Sequence, residues 1–288
     1  MAYGIPESSS QNSWVVQFQS FLKRHVRASL RNKVALFWNF VWPVLWYLLS
    51  VHLIVVPELP DGIPDDVVAA VKGTQVITFG IFGAITVTLV GFAGELTSDI
   101  EDKRYRKFRS LPIAPTADLA GRFVSGFTFG LLSFLFVVAV GILDGARFQP
   151  RGAIGIPIAL LSLLLLCAFC MAIALLVAAF VQDDTQTNIL TLSVVMLGFF
   201  VTGFNGMQTW MFPSEKYEAV LNFLPNSLAA RLQAYYLIDT DWARAGLSPP
   251  AMPDSPAFVL PLLAYTVVVG AVAVFVMKRV VYKGDAGD

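Results

Sequence analysis

Six long apolar stretches constrain this chain more than any other feature of its sequence. They occupy residues 34–56, 75–93, 119–143, 154–181, 189–207 and 257–277. About 20 apolar residues cross the hydrocarbon core of a bilayer as a helix, and only helices and closed barrels satisfy their backbone hydrogen bonds in lipid. The sequence therefore predicts an all-α, polytopic membrane protein with six transmembrane helices.

The composition agrees with this prediction. Charged residues make up 14% of the chain, whereas a soluble chain has about 25%. Hydrophobic residues make up 56%, so there is too little polar surface to coat a soluble domain. The net charge is +0, which argues against a basic nucleic-acid-binding protein. We treat residues 1–288 as a single transmembrane domain.

The positions of lysine and arginine predict the orientation. Fourteen of the twenty lie before the first span, between the second and third spans, at the start of the third, or after the sixth. The other six lie on the opposite side. Because cytoplasmic loops are enriched in Lys and Arg, both termini are predicted to be cytoplasmic in a multi-pass protein of the cell membrane. The loop at 182–187 is also placed inside, although its only charged residues, Asp183 and Asp184, are acidic.

Three segments outside the spans have a pattern of their own. Residues 14–32 show apolar side chains at helical spacing among basic ones, which predicts an amphipathic helix in the membrane interface, or simply a basic anchor. Residues 95–111 are first acidic and then basic, which suits a cytoplasmic helix or a solvated loop. Residues 208–255 are partly apolar and interrupted by prolines. They predict a short helix, or a loop lying on the headgroups.

Motifs for catalysis are missing from the sequence. There is no GxxxxGK[ST] phosphate-binding loop. Cys167 and Cys170 lie within an apolar stretch and are interpreted as packing residues. We therefore expect no catalytic residue, metal site or cofactor on this chain. The scarcity of ionisable residues within the spans argues against an ion-coupled carrier.

Two spans carry stripes of small or weakly polar residues at helical spacing. In the second span these are Gly80, Ala84 and Thr88, and in the fifth Thr191, Gly198, Thr202 and Asn205. Such stripes either pack helix against helix or line a conduit or dimer interface. The pattern leaves both interpretations open.

A proline-rich segment before the third span resembles a known family. Leu111–Arg122 is similar to the corresponding segment of type-2 ABC exporter permeases, on the spacing of Pro112, Pro115, Gly121 and Arg122. Asp99 and Glu101 fit the acidic positions upstream, while Lys103-Arg104 replaces the Gly-Thr pair usual there. The number of spans and the basic N-terminal helix also match that family, so the resemblance covers the layout of the whole chain. That residues 208–255 form short re-entrant helices is what this resemblance implies.

The resemblance implies a function and its partners. It implies a coupling helix that docks on a separate P-loop ATPase through Asp99, Glu101, Arg104, Tyr105, Arg106, Phe108 and Arg109. ATP and Mg would then be bound by that partner, and a second permease copy, identical or similar, would complete a dimer whose conduit the second and fifth spans line. The expected activity is export of an amphipathic drug, lipid or glycan. The alternatives are an ATPase-independent secondary transporter or channel, or a membrane-embedded scaffold or enzyme.

Overall fold

The computed structural model describes residues 8–105, 110, 113–181, 183–208, 215–240 and 251–280, and every regular element within these ranges is helical. Six helices are long and apolar enough to cross a membrane, which confirms the predicted fold class. From the first span to the sixth they are Lys33–Val55, Asp65–Glu101, Pro115–Leu143, Gly155–Phe180, Asp184–Val201 and Pro256–Arg279. We call the end of the bundle with the N-terminal helix, the end of the second span and the start of the third the basic end.

The second span differs most from its predicted bounds. It extends over 37 residues, well beyond residues 75–93 at both ends. Asp65 and Asp66 lie in its first turn, where acidic side chains favour the helix dipole. At the other end the helix continues through the acidic residues from Glu95 to Glu101, so this part of the predicted 95–111 helix belongs to the second span. The helix ends there, and Lys103 adopts a left-handed conformation with φ of 55°.

The second span also forms the centre of the bundle. In an apolar 18-residue stretch of this span, 89% of the residues are buried, against 11% in the corresponding stretch of the sixth span. The third span approaches it closely, because a Cβ atom on Gly80 would meet the ring of Phe134 at 2.8 Å. On the fourth span, Cys167 and Cys170 are free and buried in the apolar core. Burial on all sides explains why the middle of the second span, from Gly73 to Gly94, carries no charged side chain on any face.

Two spans contain π-helical turns. One at Ser50–Val55 lies at the end of the first span, and others cover Phe37–Val41 in the first span and Thr86–Gly91 in the second. A π-helical turn widens the helix by one residue and leaves a backbone group to be satisfied elsewhere. In the first span, the carbonyl oxygen of Asn39 accepts a hydrogen bond from Ser133 Oγ at 2.5 Å. Such turns often mark functional sites, and those at Phe37–Val41 and Thr86–Gly91 lie beside the cavity described below.

The fifth span begins earlier and ends earlier than predicted. It begins at Asp184, where Asp183 accepts a hydrogen bond from the backbone N–H of Gln186, and it ends at Val201. Residues Gly203–Gly206 then form a left-handed turn with φ of 66°, 49°, 59° and 75°. Two glycines and an asparagine adopt this conformation more readily than other residues do.

The segment before the sixth span contains a helix, Pro225–Leu237, which we call the loop helix. Leu228, Leu232 and Arg231 on this helix are fully buried. The short 3₁₀ helix Glu215–Asn222 precedes it. Residues 209–214 and 241–250 of the predicted 208–255 segment lie outside the described residues. That the loop helix enters the bilayer stays a prediction.

The N-terminal helix, Ser8–Arg31, packs along the third span with a face that overlaps the predicted apolar face only in part. Phe21 and His25 are buried in this contact, whereas Trp14 and Leu30 are exposed. The helix therefore turns a partly polar face toward the bundle. The reason is a set of acidic partners on the second and third spans.

Candidate functional site: a buried ionic cluster and the cavity beside it

A single carboxylate connects three segments at the basic end. Asp99, only 4% exposed, accepts hydrogen bonds from Arg24 Nη2 on both oxygens, at 3.0 Å each. Arg122 Nη2 donates to the same carboxylate at 2.5 Å, and Arg104 Nη1 also contacts it. The three arginines come from the N-terminal helix, the start of the third span and the segment after the second span. Asp99 thus links all three.

A second buried carboxylate lies beside the first. Asp118, 1% exposed, faces Nε2 of His25 at 3.1 Å and accepts a hydrogen bond from the Tyr105 hydroxyl at 3.3 Å. One turn further along the N-terminal helix, the Ser29 hydroxyl donates to Glu95 at 2.7 Å. We call Arg24, His25, Glu95, Asp99, Arg104, Tyr105, Asp118 and Arg122 together the basic-end cluster.

Close backbone approach makes this cluster possible. A Cβ atom on Gly121 would lie 2.8 Å from the backbone nitrogen of Leu22, so only glycine lets the third span approach the N-terminal helix this closely. Trp14 Nε1 donates to Thr116 Oγ1 at 3.1 Å, and Gln17 Oε1 accepts from the backbone N–H of Ala114 at 2.8 Å. These bonds hold the N-terminal helix in register with the start of the third span.

Burial sets the protonation states of the groups outside the spans. It lowers the pKa of His25 below the usual value of 6.5, and the positive charge of Arg122 lowers it further, against the opposing effect of Asp118. His25 is therefore neutral at pH 7, and the proton between it and Asp118 lies on the imidazole as a neutral donor. Burial also raises the pKa of Tyr105, which stays protonated and donates.

The cluster continues to the fifth span. Glu101 Oε1 accepts a hydrogen bond from the backbone N–H of Asp184 at 2.7 Å. This N–H lies at the start of the fifth span, where acceptors with negative charge are favourable. Thr97 donates to Thr187 at 3.2 Å within the same contact. The end of the second span is thus bonded to the N-terminal helix, the third span and the fifth span.

The structure places the predicted coupling residues in three different environments. Asp99, Tyr105 and Arg122 are buried in the cluster, so their side chains do not form a docking surface. Glu101 is exposed and Arg104 is partly exposed. Arg106, Phe108, Arg109 and Pro112 lie outside the described residues. Of the predicted turn residues, Pro115 occupies the first turn of the third span, and Gly121 lies at the contact with the N-terminal helix.

The predicted stripes lie mainly inside the bundle of the single chain, where they pack helix against helix; that they also line a conduit or a dimer interface stays a prediction. Gly80, Ala84 and Thr88 are buried, and the side chain of Thr88 donates to the carbonyl oxygen of Ala84. Thr191, Thr202 and Asn205 are also buried, while Gly198 is half-buried beside a smaller apolar cavity. Small residues serve here to bring helices of one chain together.

A larger cavity adjoins the basic-end cluster. Its volume is about 750 Å³, and it lies between the first, second, third and fifth spans. Its walls are mostly apolar and include Trp38, Trp42, Phe82 and Phe129, with Glu95 and Arg122 among the polar residues. Pockets for small ligands are typically about 300–1,000 Å³ and have this kind of lining.

The sequence patterns did not identify several residues of this site. Arg24 was only one of the basic residues of the predicted amphipathic helix, His25 belonged to no predicted pattern, and Asp118 was a candidate cap of the third span. A weak signal was present, because acidic residues within two turns of a span end require partners when they are buried. Which partners they would find depends on contacts across 75 and 93 residues of sequence.

The fold and site define a polytopic helical membrane protein of the permease type, with a charge-linked end and an apolar cavity beside it. The sequence model of the family described as ABC-2 type transporter matches residues 16–217. The chain belongs to this family, and the match bears out the resemblance drawn from the segment around Pro112 and Gly121. No curated protein matches the chain in sequence.

Proposed function

We propose that the chain is the permease subunit of an ATP-binding-cassette exporter that moves an amphipathic substrate outward. A separate ATPase subunit would bind ATP and Mg and drive transport. The family match supports a permease-type transporter, and the absence of a phosphate-binding loop from the sequence supports an ATPase on another chain. The outward direction rests on the resemblance to exporter permeases, and the cytoplasmic location of the basic end rests on the predicted orientation.

The position of Asp99 is the observation on which the proposal chiefly rests. The chain leaves the second span at Glu101 and begins the third span at Pro115. Asp99 and Asp118 bind both ends of this short connection to the N-terminal helix. A force applied to the connection would therefore act on three elements at once, which is what a coupling segment requires.

The connection has the composition of a docking segment. Arg106, Phe108 and Arg109 lie in it, and Arg104 at its start is partly exposed. Aromatic and arginine side chains contribute most strongly to protein interfaces, and charged side chains accelerate docking. We propose that these residues contact the ATPase, while Asp99 and Arg122 position them.

A second permease copy completes the proposed transporter. The outward face of the fifth span is apolar, with Ile189, Leu197 and Val201 at least 60% exposed in the single chain. Large exposed apolar faces on a membrane helix meet either lipid or another helix. We propose that part of this face meets the second copy, identical or similar, across the transport path.

Co-purification from native membranes tests the proposal. The tagged full-length chain is expected to retain a P-loop ATPase, and the double variant R106A/F108A is expected to lose most of it. The matched control is F275A/R279A, which removes an Arg and a Phe that contact each other on the sixth span. Retention of the ATPase by R106A/F108A would refute the assigned docking segment. Absence of any ATPase from the wild-type sample would refute the proposed function.

A further inference from the structure

We propose that the large cavity binds one amphiphile whose headgroup carries an anionic group next to a hydrogen-bond donor. The acyl chain would lie along the aromatic wall, and Arg122 would bind the anionic group. The binding itself depends only on this chain. That the bound amphiphile is the transported substrate rests on the proposed function.

Arg122 supplies the first argument. Its side chain is 1% exposed and lines the cavity. Nη2 donates to Asp99, but Nε and Nη1 have no hydrogen-bond partner among the described residues. Buried donors are nearly always satisfied, and a guanidinium group matches the geometry of a phosphate or carboxylate. Both nitrogens are enclosed by protein in this structure, so we infer that a small shift of the Arg122 side chain towards the cavity lets an anionic headgroup satisfy them.

Glu95 supplies the second argument, because it limits the kind of anion. It lines the same cavity and is half-buried. Its carboxylate already accepts a hydrogen bond from Ser29 at 2.7 Å. A headgroup that presented only negative charge would be repelled here. One with a hydroxyl or ammonium group beside its phosphate would donate to Glu95 while it accepts from Arg122.

The arrangement of the lining fits a molecule with two unlike ends. Ser29, Asn32 and Asn188 line the cavity near the basic end, together with Glu95 and Arg122. The aromatic residue Phe82 lies far from this end. Glu95 and Phe82 on the second span are separated by about 20 Å along the helix, at ~1.5 Å per residue. The cavity thus has a polar end and a long apolar end.

The mouth of the cavity indicates the route of access. Val34 and Trp38 on the first span are 68% and 46% exposed, and Ile189 and Leu192 on the fifth are 62% and 44% exposed. All four also line the cavity. The opening between these spans is therefore bordered by apolar side chains, which suits a lipid-soluble molecule arriving sideways from the bilayer.

A glycine in the wall allows the cavity to be filled without disturbing the fold. A Cβ atom on Gly91 would meet no atom closer than 3.7 Å, and the residue has ordinary helical angles. A leucine at this position would project into the cavity. Gly270 on the sixth span is the matched control, because nothing lies within 4 Å of its Cβ position and it does not line the cavity.

Native mass spectrometry of the purified full-length chain in an uncharged detergent tests the proposal. The probes share dioleoyl chains and are phosphatidylglycerol, phosphatidylcholine and diacylglycerol. The first has a phosphate and hydroxyl donors, the second a phosphate without such donors, and the third a hydroxyl without a phosphate. We expect phosphatidylglycerol to bind at least about tenfold more tightly than either of the others, in line with the loss of one charged hydrogen bond.

The variants locate the site. G91L should lose binding of phosphatidylglycerol, and G270L should retain it. R122K, which keeps a positive charge next to Asp99 but lacks the guanidinium fork, should weaken binding about tenfold. Unchanged binding by G91L would overturn the location. Equal binding of diacylglycerol or of phosphatidylcholine would overturn the headgroup assignment. Because no ATPase is present, these results are independent of the co-purification test.

Discussion

Two sites at opposite ends of the bundle, the basic-end cluster and the left-handed turn after the fifth span, are held together by different kinds of interaction. At the basic end, buried charges meet on Asp99 and Asp118. At the opposite end, the left-handed turn after the fifth span is held mainly by amides. Asn205 Nδ2 donates to the carbonyl oxygen of Thr78 at 3.1 Å, and Asn226 Nδ2 donates to Asn205 Oδ1 at 2.9 Å.

The two sites are expected to differ in how much stability they lose when one side-chain partner is removed. Removing one partner of a buried ion pair leaves an uncompensated charge, which is strongly destabilising. Removing one neutral amide leaves other hydrogen bonds in place, including that from Arg231 Nη1 to the carbonyl oxygen of Gly206 at 2.9 Å. The basic-end cluster is therefore expected to lose its stability as a unit when one charge is removed. Such a cluster suits a segment that transmits force between helices. The left-handed turn, in contrast, can lose one hydrogen bond while the others remain.

The largest expected effect follows from removing the charge of Asp99. D99N leaves Arg122 buried without its counter-ion, and we expect a loss of about 3–5 kcal/mol in the free energy of unfolding. Unfolding in mixed micelles with an ionic detergent measures it. The control D102N removes a carboxylate that is 55% exposed and bonded to Arg104, and should cost less than about 1 kcal/mol. Equal losses in the two variants would contradict the description of the basic end.

An intermediate effect is expected at the left-handed turn. N205A loses the side-chain bonds to Thr78 and Asn226 and keeps a Cβ atom at φ of 59°. We expect a loss of about 1–3 kcal/mol from the unmade hydrogen bonds. N205G loses the same bonds but fits the left-handed angles, so it should be about 1 kcal/mol more stable than N205A. If N205A cost as much as D99N, the proposed contrast between the ends would disappear.

The smallest effect is the dependence of stability on pH, which tests the contribution of His25 by itself. Because burial lowers its pKa below 6.5 in the folded chain, the unfolded chain binds more protons just below that pH. Stability should therefore decrease as the pH falls below about 6.5 and be fully present above it. H25Q should flatten this part of the thermal-stability profile. A profile that H25Q leaves unchanged would show that His25 is not the titrating group.

The sequence predicted the spans well because lipid imposes a simple rule on long apolar segments. It did less well where polar residues continue a helix, as from Glu95 to Glu101, since hydropathy reads such residues as loop. The glycines and the asparagine of the turn at Gly203–Gly206 are compatible with positive φ, but Phe204 is an unusual residue for positive φ, so the sequence did not predict the turn.

The pairings of the candidate site could not be read from the sequence. Arg24 and Asp99 lie 75 residues apart, and nothing in either local pattern specifies the other. The stripe on the second span was visible, but its burial inside one chain depends on how the third span packs against it. Periodicity shows which residues share a face, while the partner of that face is decided by tertiary packing.

The central claim is that the N-terminal helix and the connection after the second span move as one body when the proposed ATPase binds ATP. Spin labels at Lys23→Cys and, separately, at Asp102→Cys measure the distance between the two copies of the complex. Cys167 and Cys170, both buried, are replaced by alanine in this experiment. With ATP and Mg, both label pairs should come closer by similar amounts. A decrease for the label at position 102 with none at position 23 would contradict the claim.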